Sequence, residues 1–111
     1  MSNPQKAKGD QAEREIAARL EMLLGYRVRR KLGAGRLDDT GDLDGIPDTT
    51  AQVKNFKDIS RALREGIDGL AVEQANAGTT HGVLFLRRPG GKWVAAMTVE
   101  QWATLHREAT T

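Results

Sequence analysis

The stretch "GDLDGIPDTTAQVKNFKD", residues 41–58, decides how the rest of the chain is read. Its second half alternates. Ala51 and Val53 project one way from an extended chain, and Gln52 and Lys54 the other. Asp58 then starts a second helix. Its first half places Asp42 and Asp44 on one face of a short strand, either side of Leu43, with turn residues around Pro47 and Asp48. Two strands joined by a turn, the second running into a helix, are therefore expected here.

Working outward, Asn3-Pro4 is a cap followed by proline at a first helical position. Ala12, Ile16, Leu20, Leu23 and Leu24 then recur at helical spacing until Gly25 ends the helix. "YRVRRKL" alternates as a strand, with Tyr26, Val28 and Arg30 on one face, and "GAGRLDDTG" is a glycine-rich loop. After Asp58, Ile59, Leu63, Ile67 and Leu70 form the apolar stripe of a second helix that runs to about Ala77. "HGVLFLRR" is a strongly apolar strand, Pro89-Gly90-Gly91 a turn and "KWVAAM" its partner. In "TVEQWATLHRE", Thr98 and Gln101 have capping-box spacing for a last helix. The order is α-β-β-β-α-β-β-α, one α/β domain spanning 1–111 with a small mixed sheet flanked by helices.

Composition narrows the function. The chain has 111 residues, 39% apolar and 29% charged, which suits one ordinary hydrophobic core. No apolar run is long enough for a membrane span, no secretory leader follows the polar N-terminus, and there are no cysteines. A cytoplasmic protein without disulfides or thiolate metal sites is expected. The net charge of +2 is unevenly spread. Residues 1–36 carry nine Lys/Arg against four Asp/Glu, whereas residues 37–58 carry six aspartates against two lysines. A basic flank beside an acidic centre suits a polyanion and a divalent cation, although most charge runs are simply solvated faces.

Several chemistries are excluded. Only Ser2 and Ser60 are present, with no nucleophile-elbow pattern. His81 and His106 lie too far apart in sequence to form a zinc-ligand pair. Gly33-Ala34-Gly35 is not followed by a helix and fails the context for dinucleotide binding. Acid, amide and lysine remain. Glu13 heads the stripe of Ile16, Leu20 and Leu24, and a carboxylate on a core-facing stripe is costly unless paired or metal-bound. A first-turn acid favoured by the helix dipole is the competing account. Glu15, four before Arg19, is explained by a solvated ion pair.

Taken together, "KGDQAEREIAARL", "GYRVRR", "GAG", "GDLDG" and "AQVKN" resemble the archaeal-type Holliday junction resolvases of the PD-(D/E)XK nuclease superfamily. The resemblance covers roughly residues 6 to 57 by motif. It implies a restriction-endonuclease-like core with a five-stranded sheet, and Mg²⁺-dependent hydrolysis of paired strands at a four-way DNA junction by a homodimer. Carried over residue by residue, it puts the catalytic set on Glu13, Asp42, Gln52 and Lys54. The metal set falls on Glu13, Asp42, Gln52 and the Val53 carbonyl, with Mn²⁺ an expected substitute. Arg30 takes the place of the family's strand arginine, and the loop that approaches DNA falls on Gly33 to Arg36.

The sequence departs from the pattern at Gln52, where the family has an acid, and Gly41 precedes Asp42 in place of proline. Asp44, Glu65 and Glu73 are the acids that could compensate. Lys6, Lys8, Arg27, Arg29, Arg30, Lys31, Gly33, Gly35 and Arg36 are the expected DNA contacts, and binding through them should weaken with salt. Few aromatic residues accompany them, which argues against single-strand binding by stacking. Trp102 is the foremost candidate for a dimer contact. Other nucleases of branched or damaged DNA, and a non-catalytic DNA-binding relative with a degraded metal site, are the alternatives. A small interaction module is a weaker one.

Overall fold

The computed structural model describes residues 4–31 and 39–111. The elements are α1 (Pro4–Leu24), β1 (Arg29–Arg30), β2 (Leu43–Asp44), β3 (Thr49–Lys54), α2 (Ile59–Ala77), β4 (His81–Arg87), β5 (Trp93–Ala96) and α3 (Val99–Ala109). This is the order expected from the sequence, in a compact α/β domain of three helices and two sheets. None of the helices is long and apolar enough to cross a membrane among the described residues.

Local signals act where the sequence places them. Gly25 adopts φ +79° and returns its N–H to Glu21 O at 3.0 Å, stopping α1. The Asp58 carboxylate accepts from Arg61 N, and Gly78 closes α2 in the left-handed conformation. Thr98 Oγ1 accepts from Gln101 N at 3.2 Å. The Asn3 cap lies outside the described residues.

β3 and β4 pair in parallel through the α2 crossover, with Gln52 opposite Leu84, and β5 adds antiparallel to β4. β1 and β2 form a separate two-stranded antiparallel sheet. The five strands therefore do not make one regular sheet. β1 and β2 hold only two residues each, and the chain meets β3 at the irregular Asp42 rather than through a ladder.

β3 is the outer strand of its three-stranded sheet, and Asp42 occupies its open edge. Asp42 N donates to Ala51 O at 2.8 Å, and Asp42 Oδ2 accepts from Val53 N at 2.8 Å. Unpaired edge groups are thereby satisfied by one residue. Gly41 makes this approach possible: at φ +107°, a Cβ there would lie 2.9 Å from Ala51 O.

Each face of β3 and β4 carries a different layer. Ala51, Val53, Val83 and Phe85 pack against Ala12, Ile16, Ala17 and Leu20 of α1, with Val28 and Leu43 completing that core. Leu84 and Leu86 pack the other way, against Ala62 and Leu70 of α2. The buried side of α2 is thus Ala62, Gly66, Leu70 and Glu73, and the expected stripe is displaced, because Ile59 and Leu63 are exposed. Gly66 sets this rotation. A Cβ there would sit 2.6 Å from the Leu84 methyls, so only glycine lets the helix settle on that fully buried leucine. At the far end of α1, Leu23 and Leu24 are exposed rather than buried.

Candidate functional site

Alternation along β3 sends Gln52 toward α2, where Gly69 leaves room for its amide. Three acids converge there from separate segments: Asp42 from the β3 edge, Glu73 from α2 and Asp39 from the stretch before Gly41. Asp42, Gln52 and Glu73 are all buried. The Gln52 amide is oriented by its partners. With its nitrogen facing the acids it donates to Asp42 Oδ2 at 2.9 Å and to the two Glu73 oxygens at 2.7 and 2.8 Å.

The electrostatics follow from that burial. Desolvation, reinforced by the charges of Glu13 and Asp39, pushes the Asp42 carboxyl from 3.8 up to about 7, against the opposing Val53 N–H bond and Lys54 charge. Desolvation also pushes Glu73 from 4.5 up to about 8. The charges of Asp39 and Asp42 and a hydrogen bond with Asp39 act in the same direction, and Lys54 opposes them. Lys54, half-buried two residues beyond Gln52, is the cation that both acids feel. Its Nζ lies 5.4 Å from the Phe56 ring centroid, a cation–π distance.

The structure brings Asp42, Gln52 and Lys54 together as the sequence suggested, and corrects the surroundings. Asp44 does not share the face of Asp42, for Asp42 is buried and Asp44 exposed. Glu65 is exposed and bonded to Arg61 Nε at 3.0 Å. Of the three compensating acids, only Glu73 reaches the site. Its signal lay in the sequence: Glu73 follows Leu70 by three and continues the inward side of α2, the same argument that singled out Glu13. Val53 meets the site through its amide N–H on Asp42.

Glu13 sits in the middle of α1 and not in its first turn, so the helix dipole does not account for it; it lies near enough to raise the Asp42 pKa, yet it is itself engaged. Arg30 Nε and Nη2 both donate to Glu13 Oε1 at 3.3 Å, and Nη2 donates to Asp10 Oδ1 at 2.7 Å. Arg30 is a clamp between α1 and β1 before it is anything else. Lys31 is also turned inward, its Nζ 2.9 Å from Thr40 Oγ1. Lys8, Arg27 and Arg29 are exposed, and Lys6 bridges to Asp10 at 3.1 Å on the surface. Gly33, Gly35 and Arg36 lie outside the described residues. Glu15 is not explained by Arg19: it accepts from Trp93 Nε1 at 3.0 Å and faces Arg87 Nε at 3.5 Å.

Among the described residues, no three Asp, Glu or His side chains are arranged to hold a metal ion. The donor chemistry nevertheless suits a hard divalent cation. The site offers only oxygen donors, and burial, with the charges of neighbouring acids added, makes ionised Asp42 and Glu73 costly there without a cation. Asp42 and Glu73, with the Gln52 amide oxygen turned inward, are the residues that would hold such an ion, Glu73 restoring the charge Gln52 lacks. No protein-family model, curated protein or solved structure matches the chain.

Proposed function

We propose that this chain is a metal-dependent DNA endonuclease of the PD-(D/E)XK type that resolves four-way junctions by paired phosphodiester hydrolysis. The observation that carries the reading is the buried Asp42–Gln52–Glu73 cluster with Lys54 beside it on the same strand face. In this reading β1–β2 and β3–β5 correspond to a restriction-endonuclease-like core, joined at Asp42. Bound between Asp42 and Glu73, Mg²⁺ or Mn²⁺ would polarise a phosphate oxygen and acidify a water. Lys54 lies against the scissile phosphate and stabilises the charge that develops on it. Asp42 is held in place by Val53 N–H, so its free oxygen faces one direction. Symmetric cutting calls for a homodimer acting on branched DNA in the cytoplasm, and Trp102, 54% exposed, is an aromatic residue available to its contact.

The test compares a synthetic four-way junction with a matched linear duplex, in Mg²⁺ or EDTA, using parent and Lys54→Ala protein. Paired nicks in the junction alone, dependent on metal and lost in the variant, are expected. Equal cleavage by Lys54→Ala would sink the mechanism.

A second reading has its own observation. The Gln52 amide bridges both acids and Arg30 occupies Glu13, so the charges are already satisfied without metal. That suits a DNA-binding relative without catalysis. A melting temperature that does not respond to Mg²⁺ or Mn²⁺, together with a junction that shifts on a gel but stays intact, would favour it.

A further inference from the structure

A second charged region lies outside the acid cluster. An open cleft of about 420 Å³ forms where α1, the β3–α2 connection and the β4–β5 turn meet. Lys8, Lys57, Arg87 and Arg88 contribute its cations, and no carboxylate is among the described residues that line it. The cations come from three separate segments, so the charge extends along the cleft instead of gathering at one end of a helix.

Two details show a surface suited to close approach by an anion. Gly90 and Gly91 turn the chain at φ +97° and +88°, and a Cβ on Gly90 would meet nothing within 4 Å, so the turn presents open backbone. The Arg87 Nε is enclosed and pairs with Glu15 Oε1 at 3.5 Å, so the accessible cations of the cleft are the exposed Lys8, Lys57 and Arg88. The cleft also adjoins the candidate site. Phe56, one of its walls, has Lys54 Nζ at 5.4 Å and the Arg61 guanidinium carbon at 5.1 Å from its ring centroid.

From this we propose that the cleft seats the phosphodiester backbone of duplex DNA, next to the strand presented to Lys54. This rests on the nuclease reading, and it moves part of the DNA footprint away from Arg30 and Lys31, which have intrachain partners, to the β4–β5 turn. Phosphate oxygens are the shared chemistry, available from a DNA backbone or from a free phosphate anion. The spread of the cations over three segments, with the lining residues Asn55 and Phe56 directly following Lys54 in the chain, favours the backbone.

The experiment is fluorescence anisotropy with a labelled duplex in EDTA, where binding is read without cleavage, across roughly 50 to 200 mM salt, where log affinity falls linearly with log salt. Parent protein is compared with Lys57→Gln/Arg88→Gln, both exposed positions, and with Arg88→Gln alone should the pair disturb melting. The double variant is expected to bind about tenfold more weakly. Its log–log salt slope should be shallower by about 1.8, at about 0.9 for each phosphate the variant no longer neutralises. Parent and double variant binding with the same affinity and slope overturns the cleft while leaving the nuclease reading intact. A parent that binds neither this duplex nor a labelled four-way junction at the lowest salt overturns both. Pyrophosphate that raises the melting temperature of the parent but not of the variant, with DNA binding equal in the two, identifies a small-anion seat and overturns the proposal.

Discussion

The two faces of the β3–β4 pair are built from the same strands and do opposite things. On the α1 face the fully buried strand residues are apolar: Ala51, Val53, Val83 and Phe85. On the α2 face the apolar packing of Leu84 and Leu86 gives way, within one turn of α2 from Leu70 to Glu73, to a buried acid bonded to Gln52. Burial on the first face stabilises the fold. Burial on the second desolvates acids, at a cost to stability. A strand with a two-residue period can serve both ends at once, because each choice at one position leaves its neighbour free.

The two faces should part most visibly in activity. Lys54→Ala should lower junction cleavage by about 10² to 10³-fold, the usual loss of one preorganised charge at a phosphoryl centre, while leaving the melting temperature nearly unchanged. On the opposite face the effect should fall on stability. Ile16, 2% exposed, should cost about 2–5 kcal/mol when truncated to alanine, read as a shift in the denaturation midpoint.

Gly66→Ala tests the seam between the two behaviours. The added methyl meets Leu84, and we expect a loss of about 1–3 kcal/mol. Equal stability would mean that α2 can shift away from the sheet without penalty.

The pH dependence separates the faces further. Asp42 and Glu73 have folded pKa values raised to about 7 and about 8, so between pH 4 and 8 the unfolded chain releases protons that the folded chain keeps. Stability should therefore be greatest on the acid side of that window and fall as pH rises through it. Glu73→Gln should shorten that decline and raise stability at pH 8 by about 1–2 kcal/mol, discounted from the ~1.4 kcal/mol per pKa unit that linkage allows. It should also diminish any stabilisation by Mg²⁺. A decline unchanged in this variant would remove Glu73 from the cluster. The smallest effect belongs to the surface: Glu65→Ala breaks an exposed pair with Arg61 and should change stability by less than about 0.5 kcal/mol.

Much of this could be read in advance, for local reasons. Asp58 and Thr98 cap helices through their own side chains, Gly25 and Gly78 stop them, and the alternation of Ala51, Gln52, Val53 and Lys54 follows from extended backbone alone. These effects depend on neighbours a few residues away. The displaced face of α2 was not legible, since Ile59 and Leu63 fit a helical period as well as Ala62 and Gly66 do. The fit of glycine against Leu84 decided between them.

By itself, then, the sequence determined the order of elements, their ends and the pairing of an amide with a lysine on one side of β3. Only the tertiary structure decided which acids surround them. Asp42 becomes a buried acid because it must complete the edge of β3, Glu73 joins it because Gly66 lets α2 come close, and Glu13 is engaged because Arg30 folds back over α1. Desolvation and charge pairing depend on distances between segments remote in the chain, and those distances exist only once the layers have packed.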